Sequence, residues 1–277
     1  MWGRRWGMRV TIRSLVGAAL VALAAGAPKA GAAQETVIAL SLAAEGLSNQ
    51  DDLVSARRLD GSSLGLGHVS VTHTDGPARH EFRIGLRSLE LTSQDPFSYQ
   101  VRGGALRSPP SEATVGDASY AYSRKVGSSW HVGGAAGLDV EHTEYEYGAG
   151  SAEGFLYVAS VQALLERTIL EGPRSLAVQV RIPLVSWVAR PPFSTVDEER
   201  LQADNDFLHR LGTGETAFPG RLWLVDGRAR YRQVLSGRLA WIADLRVRYA
   251  RYDDPSAIRS LRYGADLGFG VRFGGGR

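Results

Sequence analysis

The chain has 277 residues, enough for one barrel or sandwich domain, and no cysteine, which excludes disulfides and thiolate metal sites. Its formal net charge is +3, but residues 1–33 hold five basic residues and no acidic one. The remainder has 27 basic and 29 acidic residues, a net charge of about −2. This balance argues against a basic protein that binds nucleic acid. The mean hydropathy of −0.15 does not by itself indicate a membrane protein. A membrane barrel would give the same result, because half of every strand in such a barrel is polar.

The N-terminus has the layout of a targeting segment. Residues 1–13 are basic, residues 15–27 form an apolar run, and small residues precede Gln34. This order predicts a secretory signal peptide over residues 1–33, cleaved near Ala33. The apolar run is shorter than the roughly 20 residues that a spanning helix needs, and no other stretch reaches that length. An integral protein of this sequence would therefore have to be a closed barrel.

The rest of the chain alternates apolar and polar residues in segments longer than ordinary strands. The predicted strands span residues 35–44, 68–74, 81–87, 118–123, 130–141, 155–166, 176–188, 222–235, 239–249 and 261–273. In the third of them the apolar parity changes after Leu86, because Leu89 and Leu91 take the opposite phase. This change predicts a bulge or the membrane edge at that point.

Short and long connections alternate between the predicted strands. The short turns lie at 75–78, 127–128, 172–173 and 236–237, and the other connections lie at 46–65, 92–117, 146–154, 190–220 and 253–258. Outer-membrane barrels have short periplasmic turns and long extracellular loops, and an even strand count places both termini in the periplasm. The pattern predicts an antiparallel up-and-down transmembrane β-barrel over residues 34–277, with about ten strands, eight or twelve being the alternatives. A soluble sandwich fits the loop alternation and the signal peptide less well.

Two of the long connections carry helix signals. Ser48 and Asp51 form a variant capping box in the 46–65 loop, which allows a short helix there. In the 190–220 loop, Thr195 and Glu198 form a capping box, which predicts a helix over residues 196–211 that ends at Gly212. A helix of this length is marginal alone, so it is expected to dock over the barrel mouth as a lid or plug, or else to be a mobile surface loop.

This pattern resembles that of bacterial outer-membrane β-barrel proteins, from Gln34 to Phe273. The resemblance implies a Gram-negative outer-membrane location, contact with outer-membrane lipids and lipopolysaccharide, and insertion by the barrel-assembly machinery. Such proteins usually end in an aromatic residue that this machinery recognises. Here Phe273 ends the last predicted strand but four more residues follow it. No motif identifies a subfamily.

Short motifs in the chain do not predict a catalytic, cofactor or metal site. Residues 61–65 match G-x-S-x-G, but that motif needs a strand–turn–helix elbow in an α/β sheet. Residues 73–76 faintly resemble the His-x-Ser-Asn-Gly stretch of outer-membrane phospholipases, with Thr74 in place of the catalytic serine. The omptin proteases place Asp and His pairs at the rim of ten-stranded barrels, and Asp51-Asp52, Asp253-Asp254 and His209 lie in predicted loops here. Solvated loop charges account for them better.

The most informative residues are the charged ones on the predicted inner face. Those assigned to the lumen are Arg83, Glu166, Arg181, Arg228, Arg230, Asp244, Arg246, Arg248, Asp266 and Arg272. One interpretation is a closed interior of ion pairs, and the other is a narrow arginine-lined path for anions. Because eight strands leave just enough room for side chains, the closed interior is favoured. The leading function is a non-enzymatic outer-membrane barrel, structural or a narrow porin-like channel. A rim enzyme acting on lipid or peptide and a surface-interaction barrel are the rivals.

Overall fold

The computed structural model describes residues 34–96, 98–101, 104–107, 110–146, 151–191 and 207–274. The predicted signal peptide and most of the predicted 196–211 helix lie outside these residues. The strands are β1 Gln34–Asp51, β2 Ser55–Asp75, β3 Ala78–Ser93, β4 Ser98–Val101, β5 Gly104–Arg107, β6 Ser111–Val126, β7 Trp130–Glu146, β8 Ser151–Leu170, β9 Arg174–Ala189, β10 Glu215–Ala217, β11 Leu222–Val234, β12 Leu239–Tyr252 and β13 Ile258–Gly274. One helix is described, α1 Phe207–Gly212.

Ten of these strands form a closed antiparallel barrel, as the sequence predicts. Their order around the wall is β9, β11, β12, β13, β1, β2, β3, β6, β7 and β8, and β8 pairs with β9 to close it. The strands β4 and β5 form a separate hairpin in the connection between β3 and β6. Both ends of the described chain lie at the end of the barrel where the short turns are, the turn end. The opposite end, with the longer connections, is the loop end.

The strands are longer than the sequence pattern indicates, and the predicted loop at 46–65 is wrong. This segment is the end of β1, a tight turn and the first half of β2, a strand of 21 residues. The predicted irregular segment at 92–117 is shortened in the same way, because β6 begins at Ser111. Small and polar residues such as Gly61 and Ser63 conceal these strands from a hydrophobic pattern. A bilayer needs only about 9–11 residues per strand, so the barrel has ample length to project beyond it.

A β-bulge in β2 turns one histidine into the lumen. Ser41 of β1 stands opposite both Gly67 and His68, because the register shifts between Leu40 and Leu42. The Ser41 hydroxyl accepts a hydrogen bond from the His68 backbone N–H at 2.8 Å. A Cβ on Gly67 would lie 2.5 Å from that hydroxyl, so only glycine fits. Bulges often re-aim a side chain in this way, and here the ring of His68 reaches the centre of the barrel.

Two gaps interrupt the hydrogen-bonded wall on opposite sides of the barrel. Residues 63–67 of β2 have no ladder partner on β3, and residues 182–185 of β9 have none on β11, among the described strands. The gaps divide the wall into two halves of five strands. One half contains β11, β12, β13, β1 and β2, and the other contains β3, β6, β7, β8 and β9. The halves pair continuously only toward the turn end.

The outer face of the wall is apolar. Nine of the ten wall strands expose large apolar or aromatic side chains there, including Leu42, Val161, Leu245 and Phe269. A closed barrel with this outer surface and a charged interior is suited to a lipid environment. Among the described residues, no helix is long and apolar enough to cross a bilayer.

The described part of the 190–220 connection lies against the outer wall, and the predicted docking over the mouth is wrong for this part. Phe207 and Leu211 of α1 pack on Phe155 and Tyr157, which face outward from β8. The indole of Trp187 donates to the Leu211 carbonyl at 2.7 Å, and β10 pairs with β9 just beyond. The helix lies on the outer wall because it covers the outward aromatic side chains of β8. The predicted helix end at Gly212 agrees with the structure.

Candidate functional site: the barrel interior

The interior is filled by side chains in successive layers from the turn end to the loop end. Nearest the turn end, Arg272 Nε donates to Glu35 at 2.5 Å, and Arg232 contacts the same carboxylate at 3.3 Å. Beside them, Arg79 donates both terminal nitrogens to Glu166 at 2.6 Å each. Two parallel bonds from a guanidinium to a carboxylate are strong and directional, so this layer holds strands far apart in sequence together.

The next layer is built around two buried acids, Glu81 and Asp244. Arg228 donates to Asp244 at 2.9 and 2.8 Å and also contacts Glu81. Arg230 donates to Glu81 at 3.0 Å through both terminal nitrogens and to Asp244 at 3.2 Å. Because Glu81 lies on β3 and the arginines lie on β11, these bonds cross the lumen from one half of the barrel to the other.

His68 lies at the centre of the next layer and is surrounded by charges. Its Nδ1 lies 2.8 Å from Asp266 Oδ2, and its Nε2 lies 2.9 Å from Asp117 Oδ1. Arg83 and Arg246 place terminal nitrogens 2.7 and 2.8 Å from the same ring nitrogens. Arg83 also donates to Asp266 at 2.8 Å. This cluster, the His68 hub, joins the two halves of the wall through one imidazole.

Arg181 has weaker partners than the other lumen arginines. It donates to the side-chain oxygen of Gln179 at 2.9 Å and to Ser119 at 3.3 Å, and no described carboxylate lies within ion-pair distance. Asp226 stands directly opposite on β11, also without a described ion pair. Both residues line a cavity of about 20 Å³. A cavity of this size holds one or two waters, which can bridge the two charges.

Toward the loop end the charges become fewer. Glu45 accepts from Arg262 at 3.0 Å and contacts Arg87, and Arg248 contacts Asp139. Above them, Glu141 accepts from the Ser260 hydroxyl at 2.6 Å, and the amide of Asn49 donates to its other oxygen. Two further cavities in these charged layers have volumes of only about 10 Å³ each.

An apolar layer of two clusters lines the interior at the loop end, and all ten wall strands contribute to it. Its members are Leu47, Leu59, Leu89, Leu91, Ala113, Val115 and Tyr145 on one side, and Leu156, Val158, Val188, Ala217, Leu222, Leu224, Ala250, Tyr252 and Ile258 on the other. The buried polar residues Glu141, Asn49 and Ser260 lie at the same height. Leu89 and Leu91 continue the inward parity of Glu81, and β3 pairs with β6 without a register shift. The predicted bulge after Leu86 is therefore wrong. The parity changes there because the interior itself changes from charged to apolar.

A buried ion pair lies above this apolar layer at the rim. Arg190 donates to Asp51 at 2.7 Å and to the Ser256 carbonyl at 2.5 Å. Asp51 in turn accepts from the Leu53 backbone N–H at 3.0 Å. Arg190 follows β9 whereas Asp51 ends β1, so the side chain reaches across the mouth of the barrel. Asp51 thus holds the rim together and does not stand free in a loop.

All ten residues predicted for the lumen lie inside the barrel, and nine of them contact carboxylates, guanidinium groups or His68; Arg181 is the exception. The interior residues that the sequence analysis did not assign to the lumen include Glu35, Glu45, His68, Arg79 and Asp117. Asp117 falls in a segment predicted as a loop, Glu45 lies just past the end of the first predicted strand, and Arg79 directly follows a predicted turn. His68 begins a predicted strand, but only the bulge brings its ring inward. A bulge leaves no periodic signal in the sequence.

The motifs considered for catalysis lie apart from one another. Residues 61–65 are part of β2 and form no strand-to-helix elbow. Asp253 and Asp254 are exposed and pair with Arg251 and Arg221, both at 3.0 Å. The side chain of His209 lies outside what the structure describes. Within the described residues, no group of three or more histidine or acidic side chains is arranged to hold a metal.

Comparisons with known proteins show the fold alone. No protein-family model and no curated protein sequence matches the chain. The solved structures that it resembles include the outer membrane protease OmpT of Escherichia coli, at 8% identity and a TM-score of 0.43, covering 87% of this chain and 96% of that one. The translocator domain of the autotransporter NalP of Neisseria meningitidis is 13% identical, with a TM-score of 0.42 and coverage of 94% and 95%.

A third similar structure is the attachment invasion locus protein Ail of Yersinia pestis. It is 7% identical, with a TM-score of 0.34, and the match covers 87% of this chain and 99% of that one. The architecture of this chain is a closed, ten-stranded antiparallel β-barrel, and no subfamily is identified.

Proposed function

We propose that this protein is a closed, non-enzymatic barrel of the outer membrane, which works as a membrane-embedded structural platform and does not conduct solutes. The observation that carries the proposal is the double closure of the lumen. Charged layers fill its middle, where three cavities among the described residues measure about 20, 10 and 10 Å³, and an apolar layer from all ten strands lines the loop end.

Each closure is sufficient by itself to stop hydrated ions. An ion would have to displace side chains that already satisfy one another, such as Arg228, Glu81 and Asp244, and leave a buried charge without its partner. Such an unpaired buried charge costs several kcal/mol. At the loop end, an ion would have to pass buried apolar side chains, and the polar groups there, Glu141, Asn49 and Ser260, already bond one another. A narrow anion path along the arginines would need both layers to open.

The outer face and the connections support an orientation. The turn end carries the short turns, so we place it and both termini in the periplasm, with the loop end outside the cell. Outer-membrane lipids and lipopolysaccharide would then contact the apolar wall, and the barrel-assembly machinery would insert it. The loop end, with α1 fixed to the wall, would be the part presented to the surroundings.

Planar-bilayer recordings test the closed state. The folded protein, with insertion verified by heat-modifiable mobility on gels, should give no conductance steps. Leu91→Ala removes side-chain volume only from the apolar layer. This variant should also give no conductance steps, because the charged layers remain. Stepwise conductance from the wild type would overturn the closed barrel and favour the narrow channel. Hydrolysis of lipid or peptide substrates by the purified protein would overturn the non-enzymatic assignment.

A further inference from the structure

Two histidines stand opposite each other on the outer wall near the turn end, separate from the lumen. His73 of β2 pairs with His80 of β3 in the antiparallel register, close to the turn that joins these strands. Their ring centroids are 6.2 Å apart, with the planes tilted by 40°. Both side chains are half-buried. After the bulge at Gly67 and His68, the odd positions of β2 face outward, and this places His73 beside the outward His80.

Each ring is held through one nitrogen by a hydroxyl on a flanking strand. His73 Nδ1 lies 2.9 Å from the Thr36 hydroxyl of β1, and His80 Nδ1 lies 2.7 Å from the Tyr120 hydroxyl of β6. The His80 ring also packs on Tyr122, with centroids 5.1 Å apart. Within the described part of the chain, Nε2 of His73 and Nε2 of His80 have no hydrogen-bond partner.

This arrangement is the one that prepares imidazoles to bind a metal. Metal-binding histidines almost always donate the second ring N–H to an oxygen acceptor, which fixes the tautomer and the ring orientation. Here both hydroxyls can accept from Nδ1, and both Nε2 atoms then present lone pairs. An ion bound at about 2 Å from Nε2 lies roughly 3 Å from the ring centroid. When the two Nε2 atoms lie on nearly opposite sides of one ion, the ring centroids are about 6 Å apart, close to the 6.2 Å separation of these two rings.

We propose that His73 and His80 form a binding site for a divalent transition-metal ion that prefers imidazole, of the class of Cu²⁺, Ni²⁺ and Zn²⁺. The protein supplies two ligands through Nε2, and water completes the coordination. The site is open and accessible from the edge of the wall beside the turn. It is independent of the closed lumen, because none of its residues belongs to the ion-pair layers.

Cu²⁺ titration of the full-length folded protein, prepared without a histidine tag, tests the site. Electron paramagnetic resonance should show one Cu²⁺ per chain with two imidazole nitrogens. His73→Gln or His80→Gln should leave one imidazole in the spectrum and weaken binding. Thr36→Val and Tyr120→Phe keep both ligands but remove the hydroxyl at Nδ1, and each should weaken binding by about 10-fold or more.

His131→Gln is the matched control, because His131 also lies near the turn end but stands beside Glu166 at 3.8 Å. It should bind Cu²⁺ as the wild type does. Heat-modifiable mobility on gels verifies that each variant is folded. Unchanged affinity in the His73→Gln/His80→Gln double variant would overturn the proposal. A loss in His131→Gln equal to that in His73→Gln would also overturn it, as would full affinity in both Thr36→Val and Tyr120→Phe.

Discussion

Glu81 is the buried acid shared by the largest number of lumen arginines, and its removal is the sharpest test of the ion-pair layers. Its side chain is 3% exposed, and its carboxylate contacts Arg228, Arg230 and Arg79. Glu81→Gln keeps the shape but removes the charge, so the buried Arg228 and the partly buried Arg230 and Arg79 lose a common partner. Breaking one side of a buried ion pair costs about 3–5 kcal/mol, and we expect a loss of unfolding free energy in that range.

The assay is chemical unfolding of the barrel in lipid vesicles, followed by tryptophan fluorescence. The matched control is Glu171→Gln, because Glu171 is 55% exposed and pairs with Lys125 at 2.8 Å on the surface. An exposed pair is worth about 0–1 kcal/mol, so the control should stay close to the wild type. If Glu81→Gln costs no more than Glu171→Gln, the ion-pair layers do not stabilise the barrel and the reasoning fails.

Three further predictions concern the lipid face, α1 and the orientation. Leu245 is 61% exposed on the outer wall, and Leu245→Arg should lower the unfolding free energy in lipid vesicles by roughly 2–4 kcal/mol. Phe207→Ala removes the α1 ring that packs on Tyr157 with centroids 5.2 Å apart, and it should speed proteolysis between residues 191 and 217 without changing conductance. A membrane-impermeant thiol reagent on intact cells should label Thr213→Cys and spare Ser128→Cys.

Each of these has a contrary outcome. Equal stability of Leu245→Arg in lipid would mean that this face of β12 does not contact hydrocarbon. Unchanged proteolysis of Phe207→Ala, or conductance steps from it, would contradict the docking of α1 on the outer wall. Labelling of Ser128→Cys with protection of Thr213→Cys would reverse the orientation. A reversed orientation would leave the assignment of the fold unchanged, because the register of the strands does not depend on which end faces the periplasm.

The sequence predicts the barrel because alternation in strands such as β12 and β13 reports one apolar and one charged face. It does so only where the inside is charged and the outside is apolar. At the loop end this contrast is lost, because Leu47 and Leu91 point inward and are as apolar as a lipid-facing residue. The ends of β1, β2 and β6 therefore resemble loops or phase errors in the sequence. The apparent slip after Leu86 follows from this loss of contrast, whereas the strands within residues 46–65 are concealed mainly by small and polar residues such as Gly61 and Ser63.

The lumen charges could be predicted individually but their pairing could not. Parity places Arg228 and Asp244 on the inner face, but which groups meet depends on the tilt and closure of the whole barrel. His68 depends further on a bulge opposite Ser41, which has no signature in a single sequence. The position of α1 depends on Phe155 and Tyr157, outward residues that look like any other lipid-facing aromatics until a neighbouring segment is seen to cover them.

The two gaps in the hydrogen-bonded wall change which interactions maintain the cross-section of the barrel. Where the backbone hydrogen bonds between neighbouring strands run without interruption, they form a continuous ring around the barrel. This ring resists lateral pressure from the bilayer. At residues 63–67 and 182–185 this ring of hydrogen bonds is interrupted, on opposite sides of the barrel. At this height, ion pairs across the lumen hold the two halves of the wall together, such as Arg83 with Asp266 and Arg246 with Asp117. Because the two halves are joined there by paired side-chain charges, the loss of one of these inner charges should weaken the connection between the halves.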